Sequence, residues 1–176
     1  MGDDGLSPSQ YGAVIALNGA LIVLVTVPVT RWLQAYPRSR VLAVSSVFVG
    51  LGFGATAWAS SVPVYAATVA IWTVGEVIGA AVGPSVVADL APTALRGRYQ
   101  GVFGFSFATA SLVAPLAGGA VYQHLGSTVL WVGAAVLSFG AGLGHLAAGP
   151  ARGRRLRQLR DIESAPRPQL PTEAVH

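Results

Sequence analysis

The chain has 176 residues, of which 53% are hydrophobic and only 10% are charged, and it has no cysteine. The few charges fall into short clusters between long apolar runs, whereas a soluble domain spreads its charges along the chain. This composition excludes an ordinary soluble globular protein and indicates a membrane protein. Without cysteines, the sequence carries no information about the redox compartment.

Five apolar runs are each long enough to cross a bilayer as a helix, because a hydrocarbon core of about 30 Å needs about 20 residues. In chain order they are 11–30, 41–59, 64–90, 99–122 and 128–148. Such runs are too long for barrel strands, and backbone in lipid must pair within a helix or a closed barrel. The sequence therefore predicts an all-α integral membrane protein. A short external segment (1–10) precedes the five-helix bundle (11–148), and a tail (149–176) follows that is basic first and then Pro-rich and disordered at its end.

The basic residues predict the orientation of the bundle. All 11 are arginines, and they lie in the segment 31–40, just after Pro92, and in the tail. The opposite connections, 60–63 and 123–127, have none, and the N-terminal segment is acidic. The positive-inside rule then predicts an external N-terminus and a cytoplasmic C-terminus in the cell (inner) membrane. Because the arginines lie at the membrane edge, the predicted partner is the lipid bilayer and not nucleic acid.

Glu76 is the first candidate functional residue, because it is the only acidic residue near the middle of a run. A central charge costs roughly 2.5–3.5 kcal/mol on insertion scales, and such residues usually face the bundle interior or a water-filled cavity. Thr73 shares its helix face, while Gly75 and Gly79 lie about 100° away, so one face can pack while the other meets a cavity. The functional hypothesis is a proton-coupling or cation-binding carboxylate. The alternative is a neutral carboxyl hydrogen-bonded to Thr73 or to a neighbouring helix.

Two further side chains and two prolines are candidates for the same region. Asn18 lies mid-span in the first run and either faces the cavity or hydrogen-bonds across a helix interface. Trp72 lies one turn before Glu76 and either packs in the core or contacts a substrate by cation–π attraction. Pro84 and Pro115 each remove a backbone donor and are expected to kink the third and fourth helices. Kinked helices that line a cavity are typical of transporters, although kinks also occur in inert bundles.

The string DLAPTALRGRYQG joins the third and fourth runs. Pro92 is expected to end the third helix. Asp89 lies at that helix end with Arg96 and Arg98 nearby, which indicates an ion pair that latches the two helices at the cytoplasmic side. The alternative is simple anchoring by the arginines, because exposed ion pairs contribute little.

A family resemblance rests on three strings, which are GLSPSQYG at 5–12, WTVGE at 72–76 with Pro84 following, and DLAPTALRGRYQG at 89–101. In their order and spacing they resemble the C-terminal half of a major facilitator superfamily transporter, most like the proton-driven multidrug efflux branch. The resemblance runs from about Gly5 to Ala148. It implies helices eight to twelve of a twelve-helix protein, with Glu76 on the tenth helix, which lines the central cavity in this family.

The resemblance implies proton-coupled efflux of a small-molecule substrate or drug, powered by the proton gradient, without a cofactor or metal. The segment 31–40 keeps the arginines of the family's loop between helices eight and nine, but it lacks the usual Asp and has Pro37 where Gly is usual. Helix seven and the N-terminal half have no counterpart, and the first ten residues carry no signal-peptide pattern. We therefore expect a fragment whose activity needs the missing helices, an N-terminal half-transporter or a second copy.

Two other classes of function are alternatives to transport. The first is a non-transporting membrane protein, either a truncated remnant or a subunit that modulates another carrier. The second is an intramembrane enzyme, which would need a reactive cluster. His124 lies in an outer connection, His145 near a span end and His176 at the end of the tail, and no acid cluster or nucleophile–base pair accompanies them. The sequence therefore predicts no enzymatic activity.

Overall fold

The computed structural model describes residues 7–33 and 35–164, and these residues form helices without any strand. The elements are α1 (Pro8–Leu33), α2 (Arg38–Thr56), α3 (Val62–Leu90), a 3₁₀ turn (Thr93–Leu95), α4 (Arg96–Ala147) and α5 (Gly149–Ser164). The helices α1, α2, α3 and α4 are each long and apolar enough to cross a membrane. The predicted all-α membrane fold is therefore confirmed.

Helix α4 consists of two helical segments that meet at Gly126. This glycine has φ 86° and ψ 169°, a backbone conformation that is open essentially only to glycine. We name the segment 96–125 α4a and the segment 127–147 α4b. The break lies within the predicted connection 123–127. It consists of a single residue, whereas the sequence suggested a short loop. The described part of the chain thus contains five apolar helical segments.

Helix α3 lies between α1 and α2, and α2 in turn packs against α4. The contact between α3 and α2 is close enough to bring backbone against backbone. A Cβ atom on Gly75 would lie 2.7 Å from the carbonyl oxygen of Ser45 and 2.7 Å from the amide nitrogen of Val49. The Ser45 hydroxyl donates a hydrogen bond to the Gly75 carbonyl oxygen at 2.7 Å. Small residues at helix contacts are the usual means of association in lipid.

A cluster of buried side chains fills the bundle where α1 ends, α2 begins and α3 ends. Its members are Leu33, Val41, Leu42, Ile78, Val82 and Val86. We name this the arginine end of the bundle, because Arg31, Arg38 and Arg96 belong to the helix termini found there. The cluster fixes the ends of three helices relative to one another.

Helix α1 begins three residues before the predicted run because its N-terminus is capped. The Ser7 amide donates to Gln10 Oε1 at 2.8 Å, and the Gln10 amide donates to Ser7 Oγ at 3.3 Å. This reciprocal pair is a capping box, and Pro8 occupies the first helical position, where its missing N–H costs nothing. Polar capping residues therefore extend the helix beyond its apolar run.

The basic part of the predicted tail is the helix α5. Arginine and leucine are good helix formers, and Leu159 is buried where α5 meets the bundle. The Thr93 hydroxyl donates to Glu163 Oε1 at 2.5 Å, which ties α5 to the connection between α3 and α4. The predicted disordered end at 165–176, including His176, and residues 1–6 lie outside the described residues.

Candidate functional site

Helices α1 and α3 bring together three of the predicted site residues, one from α1 and two from α3. Asn18 Nδ2 donates to Thr73 Oγ1 at 2.9 Å and to Glu76 Oε2 at 3.2 Å. Thr73 and Glu76 are three residues apart, so they lie on the same face of α3. An asparagine amide group has two N–H bonds, and here each of them has one acceptor. Asn18 therefore bridges the two helices.

In this cluster the hydroxyl of Thr73 uses its hydrogen-bonding capacity, whereas the carboxylate of Glu76 has acceptor positions left over. The Thr73 hydroxyl donates to the carbonyl oxygen of Val69 at 2.6 Å, so its proton is already used. The carboxylate accepts through one oxygen from Asn18, and no other side-chain hydrogen bond to it is found within the described ranges. An ionised carboxylate has roughly four acceptor positions. Glu76 therefore keeps the capacity to bind a proton, a cation or a donor group of a substrate.

Thr73 and Glu76 differ strongly in their burial. Thr73 is 1% exposed, whereas Glu76 is exposed on the outer side of the bundle, away from the contact of α3 with α2. The sequence suggested that Glu76 faces the bundle interior or a water-filled cavity. In the structure it is not in the packed interior of these helices. A carboxylate at this depth needs water or polypeptide beside it, because exposure to lipid is costly.

Trp72 is not part of this polar cluster. Its ring lies 5.8 Å from that of Phe53 in α2, and the Phe53 ring lies 5.6 Å from that of Trp131 in α4b, measured between centroids. A Cβ atom on Gly52 would lie 2.6 Å from Trp72 Cβ, so the start of this side chain lies directly against α2. In the structure Trp72 packs between helices, which is the alternative to substrate contact that the sequence left open.

The charged residues at the arginine end pair differently from the predicted latch. Asp89 forms an ion pair with Arg38 at 2.5 Å, whereas neither Arg96 nor Arg98 forms an ion pair within the described ranges. Helices α2 and α3 are neighbours that run in opposite directions, so the first residue of α2 meets the last turn of α3. Successive spans alternate in direction, so the start of α2 and the end of α3 lie at the same side of the membrane. This alternation could have indicated Arg38 as the partner of Asp89, but proximity along the sequence favours Arg96 and Arg98. The ion pair therefore joins α2 to α3, whereas the predicted latch joins α3 to α4.

Both predicted kink residues lie inside helices, Pro84 in α3 and Pro115 in α4a. The side-chain amide of Gln100 in α4a donates to the carbonyl oxygen of Pro84 at 2.7 Å. This bond links α4a to α3 near the arginine end, and no sequence pattern points to Gln100. The bends expected at the two prolines stay predictions.

A metal centre would need several ligands of suitable chemistry close together. Within 7–33 and 35–164, no three His, Cys, Asp or Glu side chains are grouped so that they could hold a metal ion. His124 and His145 lie in different segments of α4. The polar cluster of α1 and α3 is the candidate functional site because it brings Asn18, Thr73 and Glu76 together.

Comparison with known proteins shows relatives among membrane transporters. The chain is 26% identical over 108 residues to a Na(+), Li(+), K(+)/H(+) antiporter of Planococcus maritimus, a match that covers 61% of this chain and 26% of the antiporter. It is 29% identical to the uncharacterized MFS-type transporter YttB of Bacillus subtilis (strain 168) over 76% of this chain and 34% of YttB. A second Bacillus subtilis protein, the uncharacterized MFS-type transporter YhjO, is 29% identical over 76% of this chain and 32% of its own length.

The chain thus spans about a quarter to a third of the length of these relatives. No solved structure gives a significant match to it. The family profile described as Major Facilitator Superfamily matches residues 1–174, nearly the whole chain. Together with the apolar helices and the mid-span carboxylate, this match shows that the chain belongs to the Major Facilitator Superfamily.

Proposed function

We propose that this chain is part of a proton-coupled secondary transporter that exports small molecules or drugs, with Glu76 as the coupling carboxylate. The observation that carries the proposal is the hydrogen bond from Asn18 Nδ2 to Glu76 Oε2, 3.2 Å long, in the middle of two apolar helices. It holds in place a carboxylate whose remaining acceptor positions are exposed. The energy source is the proton gradient, and no cofactor takes part.

The exposed position of Glu76 supports a cavity-lining role in the proposed transporter. Intramembrane carboxylates mark substrate or proton pathways because their exposure to lipid is costly. The unoccupied oxygen can take a proton, and the protonated group has an O–H with which to donate. The name of the Planococcus maritimus relative describes exchange of alkali cations for protons, which supports proton coupling here.

The proposed activity needs more polypeptide than the five segments described. In transporters of this type the binding site lies between two repeats that move relative to each other. We propose that these segments correspond to the C-terminal half, helices eight to twelve. The remaining helices come from a longer form of the chain, from an N-terminal half-transporter or from a second copy. We further propose that the protein is not an enzyme.

The proposed orientation places the start of α1 outside the cell and α5 in the cytoplasm of the cell (inner) membrane. Because the chain has no cysteine, single cysteines in place of Ser60 and Gln158 give unique labels. Intact cells treated with an impermeant maleimide should label position 60 but not position 158. Labelling of position 158 alone would reverse the orientation.

Everted membrane vesicles test the coupling role. The full chain is produced alone and together with the N-terminal half of YttB, and dissipation of the pH gradient is followed after addition of Na⁺, Li⁺, K⁺ or ethidium. We expect Glu76→Gln to abolish the response. Asp161→Asn, which removes a carboxylate from exposed α5, should leave it intact. An unchanged response and pH profile in Glu76→Gln would refute the role of Glu76.

A second candidate function is a non-transporting membrane protein, either a remnant or a modulatory subunit. It is favoured by the large apolar surface of α4a, where Phe105, Leu112 and Leu116 are 74%, 70% and 71% exposed. Such a surface suits lipid or another membrane protein. If a half-transporter copurifies with a tagged full chain, the result would support a modulatory subunit. If the chain neither transports nor copurifies with another protein, the result would support a truncated remnant.

A further inference from the structure

A cavity of about 550 Å³ lies at the arginine end, between α5, the start of α2 and the end of α3. It is outside the polar cluster of α1 and α3, and the proposed transport does not use it. Six charged side chains line it, which are Arg38, Arg96, Arg152, Arg160, Asp89 and Glu163. Four guanidinium groups thus face two carboxylates, and the cavity carries an excess of positive charge.

Two of the four arginines are already engaged within the protein. Arg38 pairs with Asp89 at 2.5 Å. The Arg152 guanidinium donates to the carbonyl oxygens of His145 and Ala148 and so caps the end of α4b. The charge of Arg38 is therefore balanced by Asp89, and the guanidinium group of Arg152 is directed towards backbone carbonyl groups. Both side chains hold helix ends in place.

The other two arginines, Arg96 and Arg160, have no such partners. Within the described ranges neither guanidinium forms a side-chain hydrogen bond or an ion pair. The Thr93 hydroxyl, which donates to this carboxylate, and to a smaller extent the charge of Arg96 keep the pKa of Glu163 below its ordinary value. A guanidinium group has five N–H donors, and these two therefore present unused donors to the cavity.

Helix α5 directs Arg160 into the cavity by its periodicity. Arg152, Leu156, Leu159, Arg160 and Glu163 all line the cavity, and their spacing places them on one helical face. Arg157 is exposed and does not line the cavity. It offers a matched control on the same helix, with the same charge.

We propose that Arg96 and Arg160 bind a phosphate group in this cavity, carried by an anionic membrane lipid or by a soluble phosphate. The planar guanidinium group matches phosphate oxygens with two parallel hydrogen bonds. The cavity lies at the ends of spanning helices, which is the depth of lipid headgroups. A phosphate there would join α4a to α5 through two guanidinium groups that form no hydrogen bond or ion pair within the described ranges.

Binding is measured on the full chain in zwitterionic detergent. Native mass spectrometry compares retention of phosphatidylglycerol with that of phosphatidylcholine of the same acyl chains, and ³¹P NMR follows inorganic phosphate. Arg96→Gln and Arg160→Gln should each weaken binding about fivefold or more, from the usual contribution of a basic residue beside an anionic headgroup. Arg157→Gln should change binding by less than about twofold, because it lies outside the cavity.

The two probes distinguish the sources of the phosphate. Retention of phosphatidylglycerol that depends on Arg96 and Arg160 identifies a lipid headgroup, and an equally dependent inorganic phosphate signal identifies a soluble ligand. Equal weakening by all three variants would show diffuse surface attraction and overturn the proposal, as would absence of binding to both probes. Arg160 is exposed, so Arg160→Gln decides the outcome even if Arg96→Gln does not fold.

Discussion

Replacement of Gly75 by alanine tests the close contact between the backbones of α2 and α3. The new methyl group would lie 2.7 Å from three atoms of α2, which are Ser45 O, Val49 N and Val49 Cγ2. Two of these atoms belong to backbone, so a side-chain rotation cannot relieve the contact. Optimal separations between carbon atoms are about 3.5–4.0 Å, so α2 and α3 must move apart by roughly 1 Å.

The cost of this movement has two parts. Overpacking a well-packed contact costs about 1–3 kcal/mol. The hydrogen bond from Ser45 Oγ to Gly75 O, now 2.7 Å long, would lengthen beyond normal geometry, at about 1 kcal/mol. Alanine in place of glycine within a helix gains about 1 kcal/mol. We therefore expect the free energy of unfolding to fall by about 1–3 kcal/mol.

The matched control is Gly101→Ala in α4a, because an added Cβ atom there meets nothing within 4 Å. This variant should keep only the gain from helix propensity, up to about 1 kcal/mol. Both variants are unfolded by titration with sodium dodecyl sulfate in mixed micelles, with the fluorescence of the four tryptophans as the signal. If Gly75→Ala is as stable as Gly101→Ala, the close backbone contact between α2 and α3 is refuted.

Three further predictions concern the bridge, the break and the docking of α5. Asn18→Leu should lower the free energy of unfolding by about 1–2 kcal/mol in the same titration, because two interhelical hydrogen bonds are lost; an unchanged value would contradict the bridge. Gly126→Ala should cost about 1–3 kcal/mol, because its backbone conformation is open only to glycine, whereas Gly119→Ala, with nothing within 4 Å, should not destabilise. The pKa of Glu163 is lowered chiefly by the Thr93 hydroxyl. The contribution of the Glu163 carboxylate to the docking of α5 is therefore complete at a pH above its ordinary pKa of 4.5, and it is lost as the pH falls through its lower pKa in the folded protein. Spin labels on α3 and α5 should therefore separate in acid, and Glu163→Gln should show no such transition.

The helices could be predicted from the sequence because lipid imposes one strong rule: the polar N–H and C=O groups of the backbone must be hydrogen-bonded within the protein, and in long apolar runs a helix achieves this. The ends of the helices could not be predicted as well, because local polar contacts set them. The reciprocal bonds of Ser7 and Gln10 extend α1 beyond its apolar run. Likewise, the helix α5 depends on its contacts with the bundle, which a basic and Pro-rich composition does not show.

The candidate site was predictable within one helix but not between helices. The spacing of Thr73 and Glu76 follows from helical periodicity alone. Their contact with Asn18, 55 residues away from Thr73, depends on the register of α1 against α3. Glycine and alanine along both helices would allow several registers. The pairing of Asp89 with Arg38 has the same origin, because it depends on which helices are neighbours at the arginine end.

The single-residue break at Gly126 turns α4a into a lever. Thirty residues at 1.5 Å each give α4a a length of about 45 Å, and none of these residues is buried in the structure. A rotation of about 5° at Gly126 would then displace the far end of α4a, with Arg96, by about 4 Å, from the length just given. At that far end the hydrogen bond from Gln100 to Pro84 opposes this displacement. A small change in two backbone angles on one side of the membrane is thereby converted into a large displacement on the other.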